Sequence, residues 1–556
     1  MLVTPGMRTL LVLLLVTSCV ADDPVGEDGE LSPLPPPGKE DGQYHSGLRI
    51  DVDSSRTDVW TVTRQWEDKD PEAGIAWPAN SGLTWDEKYG KWIQSFEWIP
   101  GVDGWSTTFK MTTPWGKTLP APQLECAETA LFLRVTFAAW YGLPLQLEAM
   151  DGNQRIYFGH FGIRTQTGNY AGMPEFAVRY KDYTGTDYSK AWPQDATLRT
   201  RIIHGGEDTQ PELSQNAVFG TYLDELHLNK RVGYFTVLVL DYLGSANLAD
   251  TANTYNLQPE AVRPGDMLLE RWQKVGIGHT LVVKDVVPVG TATLDATLVS
   301  GSMPRRQGVK ASGAASKEYF TGDYTGGPGM ASDGTPYAKL GGGLKRFRVA
   351  KQLAGYWTNT WMDGDEAHWI NSTDYAAIAA RPARFGQLLG EVPLDQQKTE
   401  LLAQIADARH HLSQYPSSCA AREQRENAFR ALYDVESRLS QKPQTQVDTE
   451  QRKLEDYVFA PLDYNQSMTC CWDSSTSAMY DIIMQEAAAD KAAADAMHVC
   501  TAPVIFEAKD GSYQRWVDYA ASIHRSADWR AYSDDEGCHK TADVETWSEA
   551  TPYCSM

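Results

Sequence analysis

The first strong apolar signal is the uninterrupted run Leu10 to Val16, which follows the single basic residue Arg8 and ends in Val16-Thr17-Ser18-Cys19. This is the shape of a secretory signal with its cleavage site, and the run is too short to span a bilayer. Residues 20 to 45 carry Asp22, Asp23, Glu27, Asp28, Glu30 and Pro35-Pro36-Pro37 with almost nothing apolar to bury, which predicts an extended spacer. Eight tryptophans follow, Trp60, Trp66, Trp77, Trp85, Trp92, Trp98, Trp105 and Trp115, interleaved with Gly, Asp and Pro. They predict short strands in a β-rich module over 46–120. Packing is the favoured role for such rings, with stacking against sugars as the other reading.

From Cys126 to Tyr141 the pattern becomes helical, and residues 130 to 141 are apolar apart from Arg134 and Thr136. A helix apolar all round is buried, and Gly142-Leu143-Pro144 ends it as a glycine cap before proline does. Phe235 to Leu240 reads as strand-like, and Met267 to Leu269 and Leu281 to Val287 as buried strands. Leu401, Ile405, Ala408 and Leu412 form one helical stripe, and Phe429, Leu432, Val435 and Leu439 another. With Pro416-Ser417-Ser418 between them they predict an αα-hairpin suited to packing or to a protein partner. An alanine-rich helix is expected around 478–497.

The division that follows is a signal (1–18), a tether (19–45), the tryptophan module (46–120), a central domain (121–370, with an insertion about 150–260), a helical hairpin region (371–460) and a terminal unit (461–556). The formal charge of −23 argues against nucleic acid, which is bound through clustered Lys and Arg.

The eight cysteines sharpen the N-terminal reading. Val16-Thr17-Ser18-Cys19 resembles a bacterial lipobox, which implies a lipid on Cys19 and anchoring at a membrane of the cell envelope. Cys419, Cys470, Cys471, Cys500, Cys538 and Cys554 then remain for disulfides in the C-terminal part, and Cys126 is left over.

Cys126 stands in the first turn of the buried helix, where free N–H groups and the helix dipole are expected to lower a thiol pKa and to hold an oxyanion. A nucleophilic thiol needs a base, and His279 opens the buried strand after Gly278, downstream of the Arg263-Pro264-Gly265-Asp266 turn. A cysteine opening a helix that ends in Gly-Leu-Pro, a Pro-Gly-Asp turn before a strand, and Gly-His opening a hairpin resemble the NlpC-type cell-wall cysteine peptidases and the related CHAP amidases. The resemblance implies an α+β, papain-like core, a central cysteine-bearing helix on an antiparallel sheet. It also implies Cys126 as nucleophile, His279 as general base, no cofactor, and peptidoglycan or another peptide as substrate. The chain departs from the family pattern in reading Glu125-Cys126-Ala127-Glu128 and in its long cysteine-to-histidine interval.

A third group orienting the imidazole is expected at Ser300 or Ser302, or at Asp295 if the hairpin turns earlier. Arg305 and Arg306 are candidates for gripping a substrate carboxylate. A transglutaminase-like alternative pairs Cys126 with His160 and with Asp182 or Asp187. Cys470-Cys471 reads as disulfide-forming, and a binding or scaffold lipoprotein is the non-enzymatic alternative. Metal ligation is not expected: His410-His411 is adjacent, and Cys538-His539 lacks a second pair. Gly341-Gly342-Gly343 reads as a flexible loop.

Overall fold

The computed structural model describes residues 44–45, 47–104, 106–170, 173–203, 213, 217–274, 278–289, 293–303, 305–311, 313–353, 355–462, 472, 474–507, 513–531 and 548–555. The segments expected as signal and spacer lie outside them up to residue 43, with Cys19, as do Trp105, Cys470, Cys471 and Cys538. The chain divides into two compact units. One holds the described residues up to Ile99 with Thr108–Lys310 and Tyr319–Leu389; the other holds Pro100–Thr107, Ala311–Glu318 and the residues from Gly390 on. Among the described residues the architecture is mixed α+β with antiparallel sheets, 41% helix and 19% strand.

The first unit is built around the helix expected at Cys126. This helix, α2 (Cys126–Tyr141), follows a shorter helix, α1 (Trp85–Gln94), and ends on Gly142 in the left-handed conformation. Nearly all of its side chains from Ala127 to Ala138 are buried. Its C-terminal half carries Phe137, against which the rings of Trp66, Trp77, Trp85, Tyr89, Trp92 and Tyr141 pack. The tryptophans around Phe137 therefore line the core of the unit that contains α2, instead of forming a separate module. The segment also holds a helix where strands were expected. Thr84 caps α1 by accepting from the Glu87 N–H while the Glu87 carboxylate accepts from the Thr84 N–H, a reciprocal cap readable in Thr84-x-x-Glu87.

Two buried charges lie along α2, Glu128 in its first turn and Arg134 near its middle. Arg134 donates to Asp86 at 3.0 Å and places its guanidinium over the Trp66 ring at 3.5 Å. Asp86 also accepts from Arg263 in the Pro-Gly-Asp turn, and the two cations hold its carboxyl below the usual range despite burial. The turn is itself locked, with Gly265 at φ +91° and Asp266 paired with Arg346 at 2.6 Å.

The sheet of this unit has seven strands: β1 (Thr254–Leu257), β2 (Met267–Glu270), β3 (His279–Pro288), β4 (Leu294–Ser300), β5 (Val309–Ala311), β6 (Gly343–Phe347) and β7 (Trp369–Ile370). Their spatial order is β5-β4-β3-β2-β6-β1-β7, and the pairings whose register is described are antiparallel. Met267, Leu269, Val282 and Val299 share the core with α2, so alternation turns Thr280 to that face and His279 to the other. The glycine run expected as a flexible loop leads directly into β6. A Cβ on Gly343 would stand 2.2 Å from the buried Arg381 guanidinium.

The interval expected as an insertion contains a four-stranded antiparallel meander over 146–169 and then helices, of which Phe219–Leu226 and Lys230–Tyr242 are the two longest. Phe235 to Leu240, expected as a strand, belongs to the second of these, α3 (Lys230–Tyr242), whose N-cap Asn229 accepts from the Arg231 N–H. A fully buried run has no period to separate the two, and here the cap and a length of 13 residues decide for helix.

In the second unit the αα-hairpin is present as helices Leu394–Gln414 and Cys419–Ser440. Leu401, Ile405, Ala408 and Leu412 are buried, as are Phe429, Leu432 and Val435, whereas Leu439 is exposed. The alanine-rich helix runs Ser477–Ala496. Cys500 is bonded to Cys554, Cys419 is also in a disulfide, and Cys126 is a free thiol. No described helix is long and apolar enough to cross a membrane.

Candidate functional site

Cys126 reaches β3 because the chain before it lies close to the end of β4. Gln123–Leu124 pairs antiparallel with Arg306–Gln307, and Gly301 permits the approach, since a Cβ there would stand 2.0 Å from the Leu124 carbonyl oxygen. The thiol then occupies a place at the start of β3 where a neighbouring strand would continue. Cys126 Sγ donates to the Gly278 carbonyl at 3.7 Å, and the Thr280 N–H is directed at the sulfur. The nucleophile candidate thus meets the main chain on both sides of the base candidate. Gly278 is in turn fixed by its N–H to Ser245 Oγ at 2.9 Å.

The side chains of the pair do not meet in the same way. Among the described residues no hydrogen bond joins the Cys126 thiol to the His279 imidazole. The His279 ring faces Tyr319, with centroids 6.1 Å apart, and lies in the field of Arg306. Burial and that cation push the imidazole down to about 4, so it is neutral at physiological pH and a weaker base than a free imidazole.

The electrostatics of Cys126 correct the expectation of an activated thiol. Burial pushes it up to about 11, and Glu125 and Glu128 add to the rise, outweighing the N–H groups of Thr280 and Ala127. At this helix start carboxylates share the N–H groups with the sulfur: the Glu125 N–H donates to Glu128 at 2.8 Å. Sequence reasoning missed this acidic pair as part of the site, although its signal, two glutamates bracketing the cysteine at the spacing of a first helical turn, was present.

The remaining candidates fall into place as follows. Ser300 Oγ lies 2.8 Å from the carbonyls of Thr280 and Gly301, so it ties two strand ends together and does not orient His279. Ser302 lies just beyond β4 and is partly buried. Asp295 pairs with Val287 at the far end of the hairpin from His279, too distant to touch its ring. Arg305 is buried and spent on Glu128, donating from Nε at 3.0 Å and from its terminal nitrogen at 2.7 Å, with Glu125 at 3.9 Å. It is a structural anchor, not a substrate clamp.

The transglutaminase-like pair is excluded by position. His160 is buried beyond the C-terminal end of α2, against Trp60, with Nδ1 3.2 Å from the Leu145 N–H nitrogen. Cys126 is at the opposite end, and a helix of this length spans ~24 Å. Burial holds His160 down at about 3. Asp182 and Asp187 cap exposed turns through Thr184 and Ser189.

No family model, curated protein or solved structure matches this chain. Among the described residues no three His, Cys, Asp or Glu side chains form a group able to hold a metal ion. The chemistry open to the site is therefore read from Cys126, His279 and the charges around them.

Proposed function

We propose that the chain is an exported lipoprotein, anchored through Cys19, with a papain-like Cys–His site that hydrolyses an amide bond in peptidoglycan or a related peptide. The observation that carries this reading is the contact of the Cys126 sulfur with the main chain on both sides of His279, which joins the head of a buried helix to a strand start 152 residues away. This reading requires the His279 imidazole, on the face of β3 away from α2, to swing to the sulfur and replace the Gly278 carbonyl as acceptor. His279 then takes the thiol proton as sulfur bonds to the carbonyl carbon. It returns that proton to the leaving amine as the C–N bond breaks, and water hydrolyses the thioester. Digestion of purified peptidoglycan tests this reading: wild type releases peptide, and Cys126→Ala and His279→Ala release none. Equal release by wild type and Cys126→Ala overturns it.

A thiol held up at about 11 and donating to main chain instead of to a base favours a second reading, a binding or scaffold lipoprotein that keeps the core without the chemistry. Under it no peptide is released, and His279→Ala leaves the alkylation rate of Cys126 unchanged.

A further inference from the structure

The group next to the thiol that neither reading uses is the Glu125 carboxyl. One guanidinium, Arg305, serves two carboxylates here, and it serves them unequally. Its bidentate pair goes to Glu128, at 3.0 and 2.7 Å, and Glu125 stands at 3.9 Å. The second Glu128 oxygen also accepts from the Glu125 N–H, which fixes that carboxylate over the first turn. Glu125 is thus the undercompensated member, largely buried, with a like charge on one side and the sulfur of the next residue on the other. Two further cations border the site: Arg306, on the strand paired with Leu124, whose field falls on His279 of β3, and the buried Arg271, whose side chain lies against Gly278 and reaches Ser245 Oγ.

We propose that Glu125 is a positioning residue that governs the thiol: its carboxylate opposes formation of the Cys126 thiolate, and its protonation removes that opposition. This deepens the reading of Cys126 as a nucleophile by naming what restrains it. Burial and Glu128 push the Glu125 carboxyl up to about 7, so the restraint changes within the physiological range. The charge sits on an acid, so the restraint is absent well below pH 7 and complete well above it.

Alkylation of the full-length protein by iodoacetamide across pH 5.5–9.5, in wild type and Glu125→Gln, reads this without requiring hydrolysis. The ratio of the two rates is expected to be near one below about pH 6 and to rise through about pH 7 to a plateau of ~4-fold or more, the value for neighbouring charges even with water-like screening. A ratio that stays at one, or is the same at every pH, overturns the proposal. If Glu125→Gln fails to fold, wild type decides alone. Its log rate against pH is then expected to flatten between about pH 6 and 8 and to steepen again above, and a constant slope of one overturns the proposal. Peptidoglycan release is scored separately, so loss of hydrolase activity with the rate ratio intact sinks the functional reading and leaves Glu125 in its role.

Discussion

At the scale of single residues, the buried charged side chains of the first unit divide by how closely each is compensated. Arg305 is paired with Glu128, and its removal leaves the Glu125 and Glu128 carboxyls together without that cation. Arg305→Ala is expected to cost about 3–5 kcal/mol in urea unfolding at pH 8, the usual consequence of breaking a buried ion pair from one side. Glu148 is the contrasting case. It lies buried in the meander, with Gln146 and, at 3.6 Å, Arg155 near its carboxyl, and burial pushes it up to about 7. A carboxyl with its folded value above its unfolded one binds its proton more tightly when folded. Its contribution is therefore most favourable below about pH 4.5 and is lost as pH rises through about 7. Glu148→Gln is expected to leave stability unchanged near pH 4.5 and to raise it above pH 7 by about 3 kcal/mol at most. Unfolding curves at pH 5 and pH 8 that shift equally would contradict this.

At the scale of elements, α2 is buried on all sides along Ala127 to Ala138, and the candidate site stands at one end of it. Phe137 sits among six aromatic rings, so Phe137→Ala is expected to cost about 3–5 kcal/mol. Gly301 is the matching device at the other end. Gly301→Ala must push Leu124 away from β4, and the expected readout is faster alkylation of Cys126 with a lower Tm. Unaltered alkylation in a folded Gly301→Ala protein would show that the approach of Leu124 does not set the thiol's place. What was legible in the chain follows from periodicity. The stripes Leu401–Leu412 and Phe429–Val435 have the helical repeat, and Met267–Leu269 and Leu281–Val287 are short apolar runs between turns, so these elements emerged in place. Phe235 to Leu240 has no repeat, and the tryptophan segment concealed α1 behind its turn residues. The residues at the site were legible as types. The environment of Cys126 was not, because its burial and the division of Arg305 between two glutamates depend on a segment far along the chain.

At the scale of the whole molecule, the two units have separate apolar cores. One surrounds α2 and its sheet; the others gather around Trp472, Phe506 and Trp516 and along the hairpin at Phe429 and Leu432. The disulfide Cys500–Cys554 closes 54 residues within the second unit, which constrains its unfolded chain by about 4 kcal/mol in the loop-entropy account. Cys500→Ser with Cys554→Ser is expected to lower the stability of that unit and to leave the wavelength of tryptophan emission from the first unchanged. A calorimetric scan in which both units shift together would refute their independence.

The thiol's position against the start of β3 also has a consequence in time. Cys126 is covered by Gly278 and Thr280, and its acidic neighbours by Arg305, all of which leave the ribosome long after it does. At ordinary synthesis speeds the interval is roughly 8–30 s, during which the sulfur has no native cover. Cys126 precedes Cys419, Cys500 and Cys554, so in that interval none of these later cysteines has been made to compete for it. Threading order thus completes the pocket of Cys126 before those three cysteines are made.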